Sequence, residues 1–148
     1  MANLVFNVAL GRIAALAALP VANDVLVAVP LEASGLVSDA VMRDYDTLDA
    51  ILAGASNEQT TIGRKSLTGV TVTVDDTLDR VAIDCDNITW TTPTGNAVGA
   101  LVICYDPDGT GGTDADLVPL AKHDLSWTPD GTTFALTISD FHRISSTG

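Results

Sequence analysis

GVTVTVDDTLDRVAIDC, residues 69–85, decides what kind of fold this chain makes. Val70, Val72 and Val74 alternate with Thr71 and Thr73; beyond the turn, Val81, Ile83 and Cys85 alternate with Ala82 and Asp84. A period of two sends each apolar set to one side of a pleated strand. The stretch therefore predicts an antiparallel hairpin with one face buried and the other wet.

Working outward, the β pattern continues toward the C-terminus. Ile88 and Trp90 in NITWT (87–91) keep the alternation in a neighbouring strand, and TPTGNAVG (92–99) is a turn-rich break. GALVICY (99–105) is a continuous apolar run, the mark of a central strand covered on both faces. LVPL (117–120) contains Pro119 and reads as a short edge strand at best. DLSWT and TFALTI flank TPDGT, whose Pro and Gly suit a turn, and so predict a last hairpin.

Toward the N-terminus the pattern mixes. NLVFNVA (3–9) looks extended, with Leu4, Phe6 and Val8 alternating. LGRIAALAAL (10–19) predicts a short helix stopped by Pro20. DVLVAVPLEA (24–33) returns to β-branched residues, with Pro30 arguing for an edge. RDYDTLDAILAG (43–54) has Asp at its start, Leu48, Ile51 and Leu52 on one face, and Gly54 past its end, which predicts a second helix. GASNEQTTIGR (54–64) is a polar loop. These readings predict one domain over 1–148, α+β and mostly antiparallel β, a sandwich or jelly-roll-like sheet. One or two short helices fall in the N-terminal third, residues 65–140 form a β-rich core, and residues 1–9 are free to act as an extended arm.

Composition narrows the function. The chain has 148 residues, 47% of them hydrophobic but only 5% aromatic, so the core must be aliphatic. Nineteen acids against seven bases give a net charge of −12, and every acid except Glu32 and Glu58 is Asp, a residue of turns and caps. A field of that sign repels phosphate backbones and anionic lipid, which argues against nucleic acid and membrane as partners. The apolar stretch 11–31 is broken by Pro20, Asn23, Asp24 and Pro30 short of a membrane span, and it lacks the basic lead of a secretory signal. Cys85 and Cys104 sit in apolar strands and read as buried free thiols.

The most site-like stretch is YDPDGTGGTDAD (105–116), with Asp106, Asp108, Asp114 and Asp116 beside three glycines. Counted as a calcium loop from Asp106, Asp108 and Gly111 fit, but position five is Thr110 and position twelve is Leu117, which offers no carboxylate. Asp, Pro and Gly are also ordinary turn residues, so a solvated connection with no metal and no cofactor is expected, and Asp106, Asp108, Asp114 and Asp116 stand as weak candidates for an irregular calcium loop. His123 lies next to Asp124, but neighbours on a strand point to opposite faces, and His142 is remote near the C-terminus. Gly109, Gly111 and Gly112 lack the helix and Lys-Ser/Thr pair of a phosphate cradle. Asn87-Ile88-Thr89 matches a glycosylation sequon, and Trp90 and Trp127 fall in alternating strands that favour the core over a sugar-stacking face. Arg64-Lys65 is the one adjacent basic pair, a docking candidate on so acidic a chain. No catalytic constellation emerges, and no enzyme activity is expected.

Three phrases together form a pattern: NLVFNVALGRIA (3–14), NEQTTIGRKSLTGVTVTVDDTLDRVAIDCDNITWT (57–91) and GNAVGALVICYDPDGTGGTDADLVPLAKHDLSWTPDGT (95–132). They resemble a family of small proteins encoded among the virion-structure genes of tailed bacteriophages, often near the major capsid protein. The resemblance spans nearly the whole chain but carries no catalytic signature and transfers no functional residues. It implies a virion component, a capsid decoration (cement) protein on the capsid exterior, assembled in the host cytoplasm, with the phage major capsid protein as partner. A homo-oligomer is then expected, with a trimer suited to local three-fold positions. The interface candidates are Leu4, Phe6 and Val8 of the N-terminal arm, which could add a strand to a capsid edge, and Arg64 and Lys65. Two other roles share the composition: a head-to-tail connector or tail structural protein, and a carbohydrate- or cell-surface-binding β module.

Overall fold

The computed structural model describes residues 3–146. In chain order its strands are β1 (Leu4–Val5), β2 (Val25–Glu32), β3 (Lys65–Ser66), β4 (Thr71–Asp75), β5 (Arg80–Asp84), β6 (Ile88–Trp90), β7 (Val98–Asp106), β8 (Val118–Trp127), β9 (Phe134–Leu136) and β10 (His142–Ser145). The helices are α1 (Ile13–Ala17), α2 (Asp39–Met42) and α3 (Leu48–Ala53), with a 3-10 turn at Asn7–Ala9. The fold is mostly antiparallel β with short helices early in the chain, as expected.

A five-stranded sheet, ordered β1-β8-β7-β2-β3, is the spine. β7 lies at its centre and is buried on both faces, as its unbroken apolar run requires. Alternation splits its side chains between two cores. Ala100, Val102 and Cys104 meet Val27, Val29, Phe6, Met42, Leu48 and Ile51 beneath α2 and α3. Leu101, Ile103 and Tyr105 meet Ile13, Ala17, Ile83, Ile88 and Trp90 on the other face. Burying a Val, Leu or Ile side chain contributes about 1.5–3 kcal/mol, so β7 and β2 anchor both layers. On the second face lie two small sheets, β10-β5-β4 and β6-β9.

Several expectations are corrected. β8 is an interior strand of ten residues, not a short edge; Pro119 is tolerated because the β7–β8 register shifts between Ile103 and Cys104, just where Cys104 faces it. The last hairpin does not form, since β9 pairs with β6 while β8 ends at Trp127. β2 is also interior, but Pro30 lies past the two-residue β3. The Pro30 carbonyl accepts the Gln59 N–H at 2.8 Å on that side, so the missing proline N–H faces a loop and breaks no ladder. β10 pairs with β5 and holds His142 opposite Ile83.

The helices also differ in detail. α2 was not foreseen, and α3 is capped by Thr47, whose Oγ1 accepts the Ala50 N–H at 3.2 Å; neither Asp44 nor Asp46 serves. Gly54 ends α3 with φ −79°, so no left-handed turn explains it. A Cβ there would strike the Tyr45 ring.

The N-terminal segment is no free arm. Leu4 and Val5 pair with Lys122 and Ala121 of β8, the Phe6 N–H donates to Leu120 O at 3.1 Å, and Asn7 N–H donates to Arg43 O at 2.9 Å. Phe6 is fully buried among Met42, Leu48 and Ile51, and Leu4 and Val8 pack against the same cluster. Alternation over Leu4, Phe6 and Val8 was read as one extended face, but the 3-10 turn ends the strand at Val5. Residues 1 and 2 of the expected arm lie outside the described residues. Strands on both sides of 65–140 join the sheets, so the β core reaches β1, β2 and β10 as well.

Candidate functional site

The acidic loop 105–116 remains the densest cluster of chemistry-bearing side chains, and its geometry assigns each one. Asp106 Oδ1 accepts the Asp108 N–H at 3.0 Å. Asp108 Oδ1 accepts the Thr110 hydroxyl at 2.6 Å and its N–H at 3.1 Å. Those bonds favour the ionised form and hold the Asp108 carboxyl below its usual range. Asp116 Oδ2 closes the next turn by accepting the Thr113 N–H at 2.8 Å and its hydroxyl at 3.0 Å. These are the short side-chain-to-backbone closures for which Asp is suited.

Asp114 faces inward instead, to Arg64. The guanidinium donates to Asp114 Oδ1 at 2.6 Å and Oδ2 at 3.1 Å, and to Glu58 Oε1 at 2.8 Å and Oε2 at 2.7 Å. Two bidentate carboxylates on one planar fork favour Arg over Lys and raise the Arg64 pKa further, hydrogen bonding to Glu58 being the largest cause. Arg64 thus ties the 54–64 loop to the acidic loop. As an interface candidate it keeps 31% of its side-chain surface exposed while its Nε, Nη1 and Nη2 donate within the molecule. Lys65, beside it in β3, is half-buried opposite Ala28.

The loop is pinned elsewhere too. The Gly109 N–H donates to Asn23 O at 2.8 Å, and a Cβ on Gly109 would press on Val25 Cγ1 at 2.7 Å, so glycine allows the close approach. Tyr105 Oη donates to Asp24 Oδ2 at 3.0 Å. Leu117 O and Asp114 O accept the N–H groups of Leu48 and Asp49, so the loop supplies acceptors for the first turn of α3. Among the described residues, no three His, Cys, Asp or Glu side chains converge as a metal would need.

A second ion cluster, built on a buried lysine, had no signal in the sequence. Lys122 of β8 is 0% exposed, and its Nζ donates to Asp39 Oδ1 of α2 at 2.7 Å and to Asp124 Oδ1 at 2.6 Å. Asp124 thus serves Lys122 on the helix side, while His123 faces the opposite core beside Leu101. The strand alternation that argued against a His123–Asp124 dyad holds.

His123 and His142 both line a cavity of about 340 Å3, which adjoins one of about 320 Å3 lined by Cys85, Ile103, Leu136, Phe141 and His123. The Nε2 of His123 is buried without a hydrogen-bond partner. Burial lowers the pKa of His123, with His142 adding to it, and burial lowers that of His142. Burial pushes the Cys85 thiol up to about 11 and Cys104 higher still, so neither supplies an activated thiolate. Both are free and buried, as expected.

The tryptophans stack with Phe134 rather than framing an open face. Trp90 is 2% exposed, and its Nε1 donates to Gly63 O at 3.3 Å; the Trp127 and Phe134 rings lie 4.0 Å apart at 14°. Asn87 Oδ1, in the sequon, accepts the Ile138 N–H at 2.8 Å. No family model matches the chain, and no curated protein or solved structure is significantly similar to it.

Proposed function

We propose that this protein is a non-enzymatic capsid decoration protein of a tailed bacteriophage, binding the lattice of the major capsid protein from outside. The observation that carries this reading is the construction of the acidic loop. Its carboxylates close turns or grip Arg64, so the most site-like stretch commits its acids to its own structure. The near full-length resemblance to virion-structure proteins points the same way, and a net charge of −12 suits docking on a basic protein surface. Many weak copies on a symmetric lattice gain by avidity, so no single deep pocket is needed.

The experiment is copy number, by mass spectrometry of purified virions calibrated against the major capsid protein. Near one copy per capsid subunit, or one trimer per local three-fold, is the expected result. A dozen or fewer copies would place the protein at the portal or tail instead. Absence from the particle would overturn the structural reading.

A further inference from the structure

The hairpin formed by residues 69–85 leaves one of its edges open. Among the described residues β4 pairs only with β5, so its other edge carries backbone donors and acceptors without a strand partner there. An exposed edge is ordinarily guarded by Lys, Pro or a bulge. Here Thr71, Val72, Thr73 and Val74 carry no charge and no proline, and Val74 is 69% exposed. On one face of this sheet Val74, Val81 and Ile144 stand in register across β4, β5 and β10, and they line a depression of about 340 Å3. Leu78 at the tip is 55% exposed. The tip is held in shape, because Asp75 Oδ1 accepts the N–H groups of both Thr77 and Leu78 at 3.0 Å.

Charge selects the occupant. Asp75, Asp76 and Asp79 stand at the tip end of β4, and Asp86 stands beside Gly69 at the other end. The nearby cations are shared already: Arg80 lies 3.8 Å from both Asp75 and Asp140, and Arg143 donates to Asp140 at 2.8 Å. A second copy of this chain is disfavoured. Antiparallel pairing of two β4 strands about Thr73 would bring the acidic tip of each toward Asp86 of the other.

We propose that the β4 edge is the docking edge, adding an extended strand of the partner protein that carries alternating apolar residues between basic ends. The identity of that partner as the capsid protein rests on the function proposed above; the edge and its preferred chemistry do not.

The test uses capsids lacking the protein and the full chain, with Val74→Lys and Thr73→Lys as edge variants and Val21→Lys as a charge-matched control. All three positions are exposed, so circular dichroism and Tm should match the wild type. The expected result is binding weakened about tenfold or more by either edge variant but unchanged by the control, with β4 amides protected from hydrogen exchange in the complex. Capsid binding that survives both edge variants, with β4 amides exchanging freely, overturns the edge and leaves the function standing. If the wild type fails to bind capsids, the function falls and a peptide decides the edge. A synthetic valine–threonine peptide with lysines at both ends should protect β4, and one ending in glutamates should not; equal protection, or none, overturns the proposal.

Discussion

Lys122 is the residue that ties α2 to the spine, and its energetics are lopsided. The ammonium is fully buried, while the side chains of its partners Asp39 and Asp124 keep 20% and 33% of their surface exposed. Breaking a buried pair by removing one partner costs about 3–5 kcal/mol, whereas a well-packed apolar replacement is often near neutral. The acids can return to water, but the lysine cannot. Lys122→Met should therefore destabilise less than the double change Asp39→Asn with Asp124→Asn. Urea denaturation of both variants checks this, and the reverse order would show that the carboxylates are the costlier groups to strand. Little of the cluster was legible beforehand, because a lysine in KHD looks solvated until α2, a helix without its own sequence signal, closes over it. Arg64 was noticed as an unusual basic residue, but its partners lie 6 and 50 positions away and only the folded loops bring them together.

At the scale of elements, legibility followed the strength of local periodicity. β4, β5, β6 and β7 carry clean alternation or an unbroken apolar run, and they form where expected. β8 was undervalued because a register shift lets an interior strand hold Pro119, a feature set by the partner strand. β6 and β9 pair across more than 40 intervening residues, which adjacency in sequence cannot show. The N-terminal segment is the sharpest case, since its alternation was real but its destination is the chain's own core. Phe6→Ala should destabilise the whole fold by about 3–5 kcal/mol, the usual cost of emptying a buried phenylalanine site. Deleting residues 1–9 should expose the β1 side of β8 and the α2–α3 core, giving a chain that unfolds or aggregates. A lower urea midpoint for Phe6→Ala is the measurement. An unchanged midpoint, with capsid binding alone reduced, would restore the segment as a free arm.

Across the whole molecule, acid works against the packing of its layers, and the two histidines set the direction. His123 extends from the spine and His142 from β10 of the facing small sheet; His123 and Asp140 line both of two adjoining cavities there, with Asp124 on one and His142 on the other. Burial lowers both imidazoles below the ordinary value of about 6.5. As pH falls, the unfolded chain binds these protons first, so the folded state loses ground. The stability is fully present above about pH 6.5 and declines as pH falls toward the folded values. The slope is at most about 1.4 kcal/mol per pH unit for His123, and solvent screening makes the half-exposed His142 contribute less. Urea midpoints taken from about pH 7.5 down to about pH 5.5 should fall for the wild type and fall less for His123→Gln. The glutamine keeps a polar group at the cavity wall but cannot take up the proton. Parallel pH curves for the two proteins would assign the acid sensitivity to groups other than the spine histidine, and would leave the seam between spine and small sheet without a titrating switch.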